Sequence, residues 1–247
     1  APLSARRGRV SAACRLVSPA SVDYLLARRR LPSVQEALRI GIAVFNAGDY
    51  HVAHEAWEEP WLALAEGTSE EQLLHGLIQY AAAVHHGRRR NWSGQRGLAE
   101  SGERYLAAVD EGCPVNVDEI RAYLRRLAAD PELAERRRPP ALRYAGDAIE
   151  PTDLSFEAVA TAVTLLASEY DAFDAAVVDD AVRYAREELG DDSSPRGTPQ
   201  RRSRGFVGML FAFAADRDQR SIVYERLRGH VERRRSRESD VSGLFEK

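Results

Sequence analysis

The chain has 247 residues, 44% of them hydrophobic, and a formal charge of −3, with two cysteines and a single lysine at Lys247. That length supports one large core or a core with an appended lobe, and the isolated Cys14 and Cys113 exclude a disulfide framework and a cysteine-rich zinc module. The longest apolar run, FVGMLFAFAA from Phe206, is about half a membrane span, so a soluble protein of a reducing cytoplasm, with no membrane partner, is expected.

In chain order, residues 1–30 are Arg- and Ser-rich with no acid before Asp23; they weakly resemble a transit peptide but lack the apolar centre of a secretory signal. A disordered or extended N-terminal segment is expected there. From Leu31 to about Ala129 the periodicity is helical. Ser33 and Glu36 make a capping-box pattern, and Gly48 stops the first helix. A second helix runs from about Tyr50 to Ala65. A third begins at Thr68 or Ser69, with Glu70 and Glu71 suiting the helix dipole, and ends near Gly87. A fourth covers about Trp92 to Val109, and a fifth, VDEIRAYLRRLAA, closes before Pro131. Short connections between such helices predict an antiparallel bundle over 31–130.

After ERRRPP, the run ALRYAGDAIEP allows one small β-hairpin about Gly146-Asp147. Helices over about 156–170 and 173–189, a linker over about 190–204, and two closing helices make a C-terminal helical extension, 131–247. The fold class predicted is therefore mostly all-α.

Five of the six histidines lie between His51 and His86. At about 100° per residue, Tyr50, His54, Glu58 and Trp61 share a stripe of the second helix with Glu55 on its flank. On the third, His75, Gln79 and His86 share a stripe among apolar neighbours. An antiparallel hairpin would set the two stripes face to face, so that carboxylates meet donors and a histidine beside a carboxylate has its tautomer fixed. His51 and His85 are expected to face solvent or a neighbouring helix.

The ordered run Phe45, Asn46, Gly48, Tyr50, His54, Glu55, Glu58, Trp61, then Gly76, Leu77, Ile78, Gln79, Ala81, His86 and Asn91, resembles the pattern of domain-of-unknown-function family 309 over about residues 36–105. The resemblance implies a compact all-helical prokaryotic domain and carries no established activity. The chain departs from the pattern at His51, Val52, His75 and Arg90, where the family has an aromatic, an acidic residue, glutamine and glycine. The quartet His54, Glu55, Glu58 and His86 is retained.

Two chemistries compete for these residues. His54, Glu58 and His86, with Glu55 nearby, provide the nitrogen and oxygen donors that suit zinc, manganese or iron, and a metal-dependent hydrolase would follow. The spacing HEAWE is neither the zincin H-E-x-x-H nor the di-iron Glu-x-x-His repeat. The reading favoured from the residues is a small-ligand or partner-binding domain whose site is lined by His54, Glu55, Glu58, Gln79, His86, Trp61 and Tyr50, with no catalytic residue assigned. A third reading, weak nucleic-acid binding through the Arg-rich segment 196–237, is set against a solvated helical face and is disfavoured, since no zinc-finger or RNP motif accompanies it. A homo-oligomer is compatible with the sequence.

Overall fold

The computed structural model describes residues 33–190 and 205–242, which carry ten α-helices, one 3-10 turn and one two-stranded ribbon. The expected extension over 1–30, and the expected linker apart from Gly190, lie outside the described residues; Gly190 is the last residue of a helix.

The first helix, α1 (Val34–Asn46), starts where Ser33 Oγ accepts the Glu36 amide at 3.2 Å. It ends at Gly48, whose φ of +93° is the left-handed conformation that glycine adopts without strain. Its buried face, with Leu38, Ile40 and Ile42, receives α2 (Tyr50–Leu62) at close range. A Cβ at Gly41 would sit 2.1 Å from Trp57 Nε1, so only glycine lets the fully buried Trp57 lie flat on α1 and donate to Leu38 O. That contact fixes which face of α2 points away from the core.

The bundle continues through α3 (Ser69–Arg88), α4 (Trp92–Ala107) and α5 (Val117–Ala129). Thr68 caps α3 through the Glu71 amide, and Asn91 caps α4 through the Gly94 amide. The apolar run on α3 is buried on nearly every side, as its composition requires. A four-residue helix, α6 (Leu133–Arg136), follows; its shortness leaves no periodic signal in the sequence.

The hairpin is present but tiny: β1 (Arg143–Tyr144) pairs antiparallel with β2 (Asp147–Ala148) around an Ala145-Gly146 turn in which both residues have positive φ, the twist a two-residue hairpin needs. Asn46, at the end of α1, clasps the open end of this ribbon. Its Nδ2 donates to Leu142 O at 2.8 Å and Ile149 O at 2.9 Å, and its Oδ1 accepts the Leu142 amide at 2.8 Å.

A 3-10 turn (Pro151–Asp153) leads into α7 (Phe156–Glu169), and α8 (Ala175–Gly190), α9 (Phe206–Ala215) and α10 (Arg220–Ser242) follow. α7 packs on α1 and α2, so one hydrophobic core runs from Leu38 to Val231 without a break between the bundle and the later helices. At the seam, Asp49 is buried and accepts two hydrogen bonds from Arg220, at 2.9 and 2.6 Å, and one from the Tyr170 hydroxyl at 2.8 Å. The remaining Arg220 donors reach Phe213 O and Ala214 O at the end of α9. No helix among the described residues is long and apolar enough to cross a membrane.

Candidate functional site

With Trp57, Val52 and Ala53 committed to the core, α2 turns His51, His54, Glu55 and Glu58 outward. These positions follow an i, i+3, i+4, i+7 spacing and so form one stripe beside the ends of α3 and α7. His54 Nδ1 donates to Glu55 Oε1 at 3.0 Å. Burial disfavours a charge on His54, but the Glu55 bond and the charges of Glu55, Glu58 and Glu169 outweigh it and raise its pKa above the ordinary imidazole value. The same bond from His54 holds the Glu55 carboxyl below its usual range.

His51 extends the group toward α7. Its Nε2 lies 3.2 Å from Glu169 Oε2, while its ring centre lies 6.0 Å from that of His54 and 4.9 Å from that of His85. A carboxylate that accepts from Nε2–H leaves Nδ1 with the lone pair, the way an outer carboxylate orients a metal-binding histidine. Burial first, and then the nearby Glu55, raises the Glu169 pKa. His85 is pushed down to about 4 by burial, then by His51, Arg89 and its histidine neighbours, so it is neutral at pH 7. His51, His54 and Glu55 each offer a donor atom within 4.8 Å of the others, the arrangement among the described residues that could hold a metal ion.

Other residues expected at the site lie elsewhere. His86 turns toward the start of α4, where its Nδ1 lies 2.7 Å from Asn91 Nδ2. Because Asn91 Oδ1 already accepts the Gly94 amide, Nδ2 is the donor and His86 Nδ1 the acceptor, which makes His86 a neutral brace for the α4 cap. Gln79 packs against α4 as well, with its Cβ 3.1 Å from the space a Cβ on Gly102 would occupy. The face-to-face geometry expected for His54 with Gln79 and His86 is therefore not adopted. α3 presents its His75, Gln79 and His86 stripe to α4, and it is His85, one residue and about 100° away, that meets α2.

Trp61 serves a separate network. Its Nε1 donates to Glu71 Oε1 at 2.8 Å, and the buried Glu71 also accepts from the Gly67 amide, Gln72 and His75. Burial would raise the Glu71 pKa, but these donors hold it below the usual range; His75, packed between Trp61 and Tyr105, is held low by burial. Tyr50 lies edge-on to Phe45 at 4.9 Å and under the Arg88 guanidinium at 5.4 Å.

The α1–α2 turn, the His-Glu pair on α2 and the His86–Asn91 brace thus lie together in one continuous stretch. Residues 38–98 match the family model Domain of unknown function (DUF309). The chain is also 31% identical over 110 residues to an uncharacterized protein of Aquifex aeolicus (strain VF5), a match covering 44% of this chain and 32% of that one. The chain thus spans about a third of the length of this curated relative.

Within the DUF309 match lie His51, His54, Glu55, Glu58 and His85, whereas Glu169 comes from α7, beyond it. Three members of the cluster, His51, His85 and Glu169, are not among the residues expected to line the site. His51 was legible as the start of the i, i+3, i+4, i+7 stripe. The choice of His85 over His86 depends on how α3 rolls against its neighbours, and Glu169 arrives only through tertiary packing.

Proposed function

We propose that this chain binds a divalent transition-metal ion on the outer face of α2, with His51, His54 and Glu55 as ligands. The observation that supports the reading is the mutual 4.8 Å approach of two imidazoles and one carboxylate on consecutive turns of one helix. Nitrogen and oxygen donors of this kind suit zinc, iron and manganese, and a half-exposed His51 leaves the ion open to a further small ligand. Glu58 stands close enough for its charge to act on His54 and is the further carboxylate on the same stripe of α2 that could transfer a proton, so a hydrolytic use of the site is the natural extension. Glu58 and His86 were expected as ligands; Glu58 takes an outer position in this reading, and His86 a structural one.

The C-terminal arginines fit a different role. On α10, Arg228 pairs with Glu225, Arg234 with Glu187 and Arg235 with Asp180, which supports an ion-paired helical face over a phosphate-binding one.

Elemental analysis of protein purified without a His tag or chelator tests the metal reading. Near-stoichiometric zinc, iron or manganese in the wild type, absent from a folded His51→Ala/His54→Ala variant, is the expected result. An empty wild type that stays empty after titration with all three ions refutes it.

A further inference from the structure

Three protein donors leave the coordination of a metal on α2 incomplete, since sites of this class take four ligands or keep one position for water. His85, on the neighbouring α3, lies outside that trio of donor atoms but brings a further imidazole beside His51. With metal–nitrogen bonds of about 2.0–2.1 Å and tetrahedral angles, two imidazoles on one ion have ring centres about 5 Å apart. The His51–His85 separation of 4.9 Å and the His51–His54 separation of 6.0 Å bracket that value.

The hydrogen-bonding state of the four clustered histidines separates His85 from the others. His51 is held by Glu169, His54 by Glu55 and His86 by Asn91. No hydrogen bond or ion pair engages the His85 ring among the described residues, although the ring is half-buried. A ring without such a bond can turn one of its nitrogens toward an ion held beside His51.

We propose that His85 is the fourth protein ligand, so that the centre consists of His51, His54, His85 and Glu55 and is of the closed, structural kind in place of the open, hydrolytic extension. This rests on the metal-binding reading of α2. Three imidazoles and one carboxylate favour zinc and its transition-metal neighbours over magnesium and calcium, which take oxygen ligands. The set also joins α2 to α3, so metal binding clamps two helices of the bundle together.

The test uses the full chain stripped by chelator, with zinc affinity measured by competition against a chromophoric chelator and geometry followed by the visible absorption of bound cobalt(II). His85→Gln and His86→Gln make a matched pair, because the second keeps an acceptor for Asn91; His85→Ala is the further variant, and far-UV circular dichroism confirms that each is folded. His85→Ala and His85→Gln should weaken zinc by more than the roughly 10–100-fold that follows loss of an outer-sphere partner, and should change the cobalt spectrum. His86→Gln should leave both at wild-type values. A wild type that binds zinc, together with His85 variants of unchanged affinity and spectrum, overturns the assignment of His85 alone. Equal damage from His86→Gln overturns it as well. A wild type that binds neither ion overturns the metal reading of α2 itself.

Discussion

Replacing Arg220 with alanine should destabilise the whole molecule. Arg220 is 3% exposed and Asp49 1%, and their two hydrogen bonds, at 2.9 and 2.6 Å, form a bidentate pair sealed from water. Removing the arginine leaves a buried carboxylate whose remaining partners are the Tyr170 hydroxyl at 2.8 Å and Arg217 Nε at 3.8 Å. Breaking a buried pair costs about 3–5 kcal/mol, and these partners place the loss near the lower end, about 3 kcal/mol. With an m-value of about 3 kcal/mol/M, the urea midpoint should fall by about 1 M in a single transition. Replacing both partners, as Asp49→Leu/Arg220→Met, should cost less than either single change, because no charge is then stranded. An Arg220→Ala midpoint equal to wild type would refute the argument. So would a split into two transitions, since the hydrophobic core that joins the bundle to the later helices is left in place when Arg220 is removed.

Two further outcomes follow from the α2 cluster. Glu169→Ala should lower zinc affinity about 10–100-fold, and Glu169→Gln, which still accepts from His51, should lower it less; equal affinity in both variants and wild type, measured by chelator competition, would remove Glu169 from its orienting role. In chelated protein, His85 stays neutral in the fold down to about pH 4, whereas an unfolded histidine takes up its proton near 6.5, so the unfolded state binds more protons between those values. Stability is therefore lost as pH falls from about 6.5 toward 4, by about 1–2 kcal/mol after allowance for solvent screening of a half-buried ring. His54, whose pKa is raised, acts in the opposite sense and adds stability at low pH. The His85 contribution is therefore read as the difference between wild type and His85→Gln in urea melts at pH 7 and 5; parallel losses would refute it.

Much of the fold was legible because its signals are local. Ser33, Thr68 and Asn91 each bond an amide three residues on, and Gly48 ends α1, so the helix starts and stops stand in the sequence. The pairing of His54 with Glu55 was legible for the same reason, since the two are neighbours on one helix. What escaped depends on how helices roll and stack. One residue separates His85 from His86, yet the first meets α2 and the second braces α4. Asp49 and Arg220 lie 171 residues apart, and nothing near either one announces the other. Asn46 reads locally as a turn residue, whereas its carboxamide is spent on backbone groups about a hundred residues away.

That carboxamide changes what the small ribbon is. Two strands of two residues each are too short to persist by themselves in water. Asn46 offers one acceptor and two donor contacts at the position where the next rung, Leu142 opposite Ile149, would form, and so behaves as a borrowed piece of main chain. The ribbon is in effect riveted at its base by Asn46 and tied at its turn by Ala145, whose amide donates to Pro114 O at 2.7 Å. Lengthening the Ala145-Gly146 turn should therefore cost the Pro114 contact alone, while Asn46→Asp, which keeps the acceptor and deletes both donors, would detach the base of the ribbon from the end of α1 and leave it held from the Pro114 side and by Tyr144.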